Sequence, residues 1–142
     1  MISIAVIDDE SSIRNTLGFI LRSERFHPAL FSDAQCFLHH ILAKNNKHYD
    51  LIIADINLEG MDGIDFLKKI SAVGPMKYSC VLLLSGLDED RILNAYREVK
   101  DLFLFMDFAE KNIRVEHLLL KIKLLIKLKE LYEEVKSLKE KI

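Results

Sequence analysis

The sequence predicts a doubly wound α/β domain built on a five-stranded parallel sheet. Residues 2–7, 51–56 and 80–85 form three short runs that are apolar without alternation. Strands of this kind lie in the middle of a parallel sheet, where helices cover both faces. Helical patterns, with apolar residues at three- and four-residue intervals, separate the runs. The resulting order, a strand followed by a helix and repeated five times, is typical of a doubly wound domain.

The remaining elements have weaker signals. Residues 27–32 and 102–108 are expected to form the two other strands. Each helix is predicted from a stripe of apolar side chains. The four stripes are Ile13, Leu17, Ile20 and Leu21; Phe37, Ile41 and Leu42; Ile64, Leu67, Ile70 and Val73; and Ile92, Tyr96 and Val99.

The last helix is unusually long. Nothing between Val115 and Ile142 breaks a helix, which gives a length of about 40 Å. Its first apolar residues are expected to pack on the sheet, and later ones recur at intervals of 3, 4, 3 and 4, as in a coiled-coil seam. We therefore predict a domain over residues 1–126 and a helical extension over 127–142 that forms a coiled-coil linker, with a solvated helix end as the alternative. The first set is Leu118, Leu119, Ile122, Leu125 and Ile126, and the seam is Leu128, Leu131, Val135, Leu138 and Ile142.

Composition narrows the class of protein. The 142 residues suffice for one domain with a core, and the net charge of −2 implies no attraction to nucleic acid or to an anionic membrane. The start of the chain has no signal-peptide pattern. Cys36 and Cys80 lie in no metal or disulfide pattern and are expected to be buried or half-buried small hydrophobic residues. A reducing cytoplasm is the expected setting.

Acidic residues follow the strands at the points where ligands bind in this kind of fold. Asp8 and Asp9 end the first strand, and Asp55 ends the third. Ser85 ends the fourth, and Lys111 follows the fifth. Because the carboxyl ends of parallel strands share one edge, these side chains are expected to meet there.

Three carboxylates in a small volume repel one another, and a divalent cation removes that penalty. Oxygen ligands of this type suit Mg²⁺. A carboxylate held in such a cluster can attack an activated phosphorus, while the cation, the lysine and the hydroxyl neutralise the phosphoryl oxygens. The sequence therefore predicts a phosphoryl acceptor at Asp55.

The motifs "VIDDE", "DINLEGMDG", "VLLLSG" and "DFAEKNI", taken in this order, resemble those of the receiver domain of bacterial two-component response regulators. The resemblance covers the chain to about residue 126 and implies a flavodoxin-like sheet in the order 2-1-3-4-5. It also implies that Asp55 is phosphorylated by a sensor histidine kinase and that Ser85 and Lys111 are the hydroxyl and the lysine of the site. Asp8, Asp9, Asp55 and the backbone carbonyl of Asn57 would bind Mg²⁺, and Phe108 with Ser85 would form the switch.

Two positions depart from the pattern of the family. Glu59 stands where proline is common, and Asn112 follows Lys111 where proline is usual and its peptide bond typically cis. Without proline a cis bond costs about 3 kcal/mol, so we expect a trans bond and a shifted loop. The interval between Ser85 and Lys111 is also longer than usual, which leaves open an alignment that puts Met106 at the lysine position.

Each residue also has a simpler structural interpretation. Asp8 could cap the first helix, Ser85 could be an ordinary strand-end hydroxyl, Lys111 a surface lysine and Phe108 plain core. Glu10 is expected to be a first-turn helix acid, and Asp62 with Gly63 a turn and a helix start. The histidines, including His39 and His40, show no metal spacing and are expected on the surface or on helices.

The leading functional hypothesis is a phospho-acceptor switch, not an enzyme. Phosphorylation would change the surface of the fourth helix, fifth strand and fifth helix, and that surface or the helical tail could join a homodimer. An alternative is a dimerisation module that ignores phosphorylation and keeps a vestigial site. An aspartyl-phosphate phosphatase would need an acid two residues after its nucleophile, where this chain has Asn57.

Overall fold

A computed structural model describes residues 1–43, 48–86 and 89–142 of the chain. The elements alternate between strands and helices, with one short 3₁₀-helix and one hairpin whose strands have two residues each. In chain order they are β1 (Ser3–Ile7), α1 (Ser11–Ser23), β2 (His27–Phe31), α2 (Ala34–Ala43), β3 (Leu51–Asp55), β4 (Asn57–Leu58), β5 (Met61–Asp62), α3 (Gly63–Ser71), the 3₁₀-helix (Gly74–Tyr78), β6 (Cys80–Ser85), α4 (Glu89–Val99), β7 (Phe105–Glu110) and α5 (Val115–Glu140).

The main sheet has five parallel strands in the order β2-β1-β3-β6-β7. Counted along the main sheet this is the predicted order 2-1-3-4-5, and the doubly wound fold is confirmed. The register pairs Ile7 with Ala54, Asp55 with Leu84, and Ser85 with Glu110. The ends of β1, β3, β6 and β7 therefore lie side by side at one edge.

The core lies in two layers, one on each face of the sheet. Side chains alternate along each strand, so that Ala5 and Ile7 join one layer while Ile4 and Val6 join the other. Every residue of β3 and β6 is buried. Continuous apolar runs predicted these strands correctly, because both of their faces are covered.

The predicted limits of the fifth strand of the sheet were wrong. β7 covers Phe105–Glu110 instead of residues 102–108. The amide of Leu102 donates to the carbonyl of Val99, and the amide of Leu104 donates to the carbonyl of Ser79. These bonds place the apolar residues before Phe105 in a turn, from which Phe103 is buried in the core.

Three predicted side-chain placements were also wrong. Leu42 is 60% exposed, and α2 instead buries Ala34, Phe37, Leu38 and Ile41. Tyr96 is exposed, and Cys36 lies on the surface while Cys80 is buried. An amphipathic helix buries about a third of its circumference, and residues at the margin of the stripe, such as Leu42, fall outside it.

The long final helix packs on the sheet through its first half. Leu118, Ile122, Leu125 and Ile126 are buried, as predicted, and so is Lys129. Leu128, Leu131, Val135, Leu138 and Ile142 are exposed on the single chain. In the part of the chain that is described, no helix combines the length and the apolar character that crossing a bilayer requires.

Candidate functional site

Asp55 lies at the carboxyl end of β3, at the centre of the edge shared by the strands. Its side chain is almost fully buried, with a residue exposure of 3%. The amide of Asn57 donates to Asp55 Oδ1 over 2.9 Å, and the amide of Ile56 donates to the carbonyl of Leu84. The backbone directly after Asp55 is thus held by hydrogen bonds, and the carboxylate has a fixed position.

Asp8 contributes a second buried carboxylate from the end of β1. It is 1% exposed, and its Oδ1 accepts the amide of Glu10 over 2.9 Å. Burial raises the pKa of Asp8 above its ordinary value, although the bond from Glu10 and the charge of Lys111 oppose this. Among the buried side-chain oxygens and nitrogens of the described residues, one has no hydrogen-bond partner, and it is Oδ2 of Asp8.

Two exposed acids follow Asp8 directly. Carboxylate oxygens of Asp8, Asp9 and Glu10 lie within 4.8 Å of one another. Glu10 is the N-cap residue of α1, and its own side chain makes no capping hydrogen bond. Asp8 accepts the backbone amide of this N-cap residue, so one of its oxygens supports the start of the helix while the other lies in the cluster of acids.

Lys111 brings the positive charge of the site. Its Nζ lies 2.5 Å from Asp55 Oδ2, 3.1 Å from Glu10 Oε1 and 3.7 Å from Asp8 Oδ2. Burial of the ammonium acts against its charge, but the hydrogen bonds to Asp55 and Glu10 prevail and raise the pKa of Lys111. The contact with Asp55 excludes the alignment in which Met106 stands at this position.

The backbone of the β7–α5 loop holds this lysine in place. The Lys111 amide donates to the carbonyl of Ser85 over 2.9 Å, which joins the loop to the end of β6. Within residues 1–43, 48–86 and 89–142 no peptide bond is cis. The expected trans bond between Lys111 and Asn112 is therefore confirmed.

Ser85 and Phe108 are the two residues predicted to form the switch. The Ser85 hydroxyl is buried and donates to the carbonyl of Gly86 over 2.9 Å. Phe108 is half-buried, and its ring meets the edge of the Tyr96 ring with centroids 6.2 Å apart. The hydrogen bond of the Ser85 hydroxyl goes to a neighbouring carbonyl, and a serine held in this way can change rotamer at low cost.

Two further residues complete the surroundings of the site. Asp62 Oδ1 accepts the amide of Ile64 as the cap of α3, as predicted, while its Oδ2 accepts from Arg91 over 2.7 Å. Glu10, expected to be a simple helix acid, shares Lys111 with Asp55. Sequence reasoning missed this role because an acid at a helix start has an ordinary explanation in the helix dipole.

The donor set fits a hard divalent cation. Asp8 offers a buried, partnerless oxygen beside two exposed carboxylates, and burying such an oxygen costs free energy unless a cation compensates it. Carboxylate oxygens together with open solvent on one side are the environment in which Mg²⁺ binds while keeping several waters.

Comparison with known proteins gives the family. The profile of the response regulator receiver domain matches residues 4–123. The transcriptional regulatory protein FixJ of Bradyrhizobium diazoefficiens is 39% identical over 69 residues, which cover 49% of this chain and 32% of FixJ. A putative NtrX-like response regulator of Rickettsia bellii is 31% identical over 144 residues, covering 100% of this chain and 28% of that protein. The chain thus spans about a third or less of the length of these two relatives.

Solved structures agree on the fold. The chemotaxis protein CheY4 of Vibrio cholerae superimposes with a TM-score of 0.76 at 22% identity, covering 88% of this chain and 98% of CheY4. Together with the acids, the serine and the lysine at the carboxyl edge of the sheet, the match over residues 4–123 shows that this chain belongs to the receiver domains of response regulators.

Proposed function

We propose that Asp55 accepts a phosphoryl group from a phosphohistidine of a sensor histidine kinase. The contact between Lys111 Nζ and Asp55 Oδ2, next to the buried carboxylate of Asp8, is the observation that supports this proposal most directly. A carboxylate that is fixed, partly desolvated and paired with an ammonium is prepared for nucleophilic attack.

The transfer follows from the positions of the side chains. An Asp55 oxygen attacks the phosphorus in line, the P–N bond of the donor breaks, and the imidazole leaves as an acyl phosphate forms on Asp55. Lys111 moves from the Asp55 carboxylate to a phosphoryl oxygen, and the Ser85 hydroxyl turns from the Gly86 carbonyl to a second one. Lys111 already contacts Asp55, and Ser85 ends the strand that pairs with β3, so the transfer requires no change in the sheet.

We propose that Asp8, Asp9, Asp55 and the backbone carbonyl of Asn57 hold Mg²⁺. When bound, the cation supplies positive charge that offsets the acids and the phosphoryl oxygens. Glu10 borders the same cluster, and its ion pair with Lys111 helps to keep that lysine at the mouth of the site.

The proposed switch uses Ser85 and Phe108. When Ser85 turns toward the phosphoryl group, Phe108 moves into the vacated space and leaves the edge of Tyr96. The surface formed by α4, β7 and α5 then changes, which is a local electrostatic event that biases a two-state element. Phe108 lacks a hydroxyl group, so the change is transmitted by packing.

A groove beside the site could accept the kinase. A cavity of about 230 Å³ lies between α1 and α5, and Lys111 forms part of its wall. Apolar side chains supply most of the remaining wall, among them Ile13, Leu84 and Leu118. An apolar groove next to the lysine of the site suits a helical partner that carries the phosphohistidine, and the cytoplasm is the compartment in which we place this encounter.

Phosphoramidate, a small donor with a P–N bond, tests the acceptor without the kinase. With Mg²⁺ present, intact-mass spectrometry should show the gain of one phosphoryl group on the parent chain and none on Asp55→Asn. Asp65→Asn, a change of an exposed acid on α3, is the matched control and should react like the parent. A gain on Asp55→Asn equal to that of the parent would refute the assignment.

The second candidate function is dimerisation that is independent of phosphorylation. The exposed apolar residues of α5 favour it, and the α4–β7–α5 surface is another candidate contact between copies. The ion pair of Asp55 with Lys111 supports a working acceptor instead of a vestigial one. An inert Asp55 in the phosphoramidate experiment would favour the second function.

A further inference from the structure

The outer face of α5 carries an apolar stripe longer than the one visible in the sequence. Leu124 joins it, so the exposed residues recur at intervals of 4, 3, 4, 3 and 4. In heptad notation the stripe is d-a-d-a-d-a. The five residues of the stripe that lie within α5 are between 43% and 57% exposed. The stripe is Leu124, Leu128, Leu131, Val135, Leu138 and Ile142.

The stripe faces away from the sheet. The opposite side of α5 is occupied by the buried residues from Leu118 to Lys129. At about 100° per residue, the centre of the stripe lies about 140° around the helix axis from Lys129. A second helix can therefore pack along the stripe while each domain remains on the outside of the pair.

Contacts of two lysines fix the helix in this orientation. Lys129, only 5% exposed, donates to Asp50 over 2.8 Å and to Glu133 over 2.7 Å. Lys136 lies over the ring of Tyr78, 5.5 Å from its centroid. Because these contacts hold the inner face, the outer face is presented without rearrangement.

Charged residues beside the stripe select the partner and its direction. In a parallel pair of identical helices, Glu134 at position g faces Lys139 of the second copy at position e, and symmetry makes this contact twice. In the antiparallel arrangement that pairs Leu128 with Leu138, Glu134 would face Glu134, and Lys127 would face Lys141. Among the ion pairs of the described residues, none involves Glu134 or Lys139, which leaves both available.

We propose that the outer face of α5, from Leu124 to Ile142, binds a second copy of this chain as a parallel two-stranded coiled coil. The contact is independent of the phosphoryl site. Lys129 meets Asp50 directly before β3, whereas Asp55 ends that strand. The free half of the helix thus projects from the edge of the sheet opposite the acceptor.

Sedimentation velocity over a series of protein concentrations tests the proposal. The parent chain and Asp55→Asn should both show a dimer whose fraction rises with concentration. Leu131→Glu, which places a charge in the seam, should remain monomeric where the parent is mostly dimeric. Circular dichroism should show that this variant keeps its fold, because Leu131 is 46% exposed and belongs to neither layer of the core. A parent chain that is monomeric throughout would overturn the proposal.

Charge exchange tests the direction. Glu134→Lys or Lys139→Glu alone should weaken the dimer about fivefold, given two exposed pairs, and the double variant should recover the parent affinity. Recovery is expected only in the parallel pairing, because the antiparallel one never brings Glu134 to Lys139. Failure of the double variant to recover would overturn the parallel arrangement.

An engineered disulfide tests the parallel seam independently. In a Cys36→Ser background, Leu138→Cys places two thiols at the same level of a parallel seam, within the Cα separation that a disulfide bridges. Oxidation should produce covalent dimers on denaturing gels, while Leu120→Cys, an exposed position next to the seam, should cross-link less. Equal cross-linking of the two variants would contradict the seam.

Discussion

At the scale of single residues, the buried carboxylate of Asp8 serves the site but lowers the stability of the folded chain. The carboxylate is buried and one of its oxygens lacks a hydrogen-bond partner. Its pKa is raised by burial, so the charged form is less favourable in the folded chain than in the unfolded chain. The penalty is present above the folded pKa of Asp8 and is relieved as the pH falls through it.

Asp8→Asn should therefore stabilise the chain when no divalent cation is present. The amide oxygen can still accept the bond from Glu10, while the buried charge disappears. We expect the free energy of unfolding in urea with EDTA to rise by about 1 kcal/mol at neutral pH. Asp9→Asn is the control, since Asp9 is exposed, and it should change stability by less. A loss of stability in Asp8→Asn would show that the carboxylate is a structural acceptor.

Gly63 is required by a close approach of two backbone segments. A Cβ atom at this position would lie 2.7 Å from both the Cα and the carbonyl oxygen of Ile56, atoms that cannot move aside as a side-chain end can. Gly63→Ala should cost about 2 kcal/mol by chemical denaturation. Gly74→Ala is the matched control, because a Cβ there meets nothing within 4 Å, and equal losses in both variants would contradict the close-approach explanation.

Which residues the sequence could identify depends on how specific their surroundings are. Asp8, Asp55 and Lys111 follow apolar strands, and strand ends of a parallel sheet meet at one edge. Glu10 and Lys129 lie on helices in patterns that usually belong to solvent. Their partners, Lys111 and Asp50, are distant in the chain, so only the folded arrangement reveals them.

At the scale of elements, the docking of α5 depends on the buried ion pair of Lys129. Burial works to raise the pKa of Asp50, but the hydrogen bonds from Lys129 and from the Ser3 amide prevail and lower it. For a carboxyl group with a lowered folded pKa, the stabilisation is present above its unfolded pKa and is lost as the pH falls through the folded pKa.

Lys129→Met should lower the free energy of unfolding by about 2 kcal/mol at neutral pH. The reason is that Asp50 loses its principal partner while remaining half-buried. The difference from the parent should narrow below about pH 4, where Asp50 becomes protonated. Lys127→Met on the exposed side of α5 is the control, and a difference that persists unchanged into acid would show that packing of the lysine stem, not charge, is lost.

The elements differ in how well their limits could be predicted. β6 was predicted to the residue, because its apolar run is bounded by serine at each end and both of its faces are buried. The predicted β7 was displaced because Phe103 and its two leucine neighbours look like strand residues but lie in a turn, from which Phe103 is buried. Apolar composition indicates burial, and a residue in a turn can be as buried as one in a strand.

At the scale of the whole molecule, cation binding should reverse the effect of Asp8 on stability. A ligand that binds only the folded state stabilises it by about 2.7 kcal/mol at a hundredfold excess over its dissociation constant. Mg²⁺ should raise the thermal midpoint of the parent and change that of Asp8→Asn little, as measured by calorimetry. Ca²⁺ in parallel tests for selectivity, and an equal shift in Asp8→Asn would contradict the proposed ligands.

The order of the strands and the position of the acids could be predicted for the whole molecule, because both follow from one repeated rule of parallel-sheet topology. The path of α5 could not. Its direction depends on Lys129 and Tyr78, which a seam of apolar residues does not anticipate.

The anchoring of α5 at Lys129 makes the helix a lever. The segment from Glu130 to Glu140 extends beyond the ion pair of Lys129 by about 16 Å, with the contact between Lys136 and Tyr78 partway along it. A tilt of about 10° at the sheet would displace the tip of the helix by about 3 Å. A displacement of this size would misalign the side chains of two helices packed together. The displacement caused by any repacking of β7 against the base of this helix thus grows with distance along the helix. Two copies joined along their α5 helices would have to tilt together.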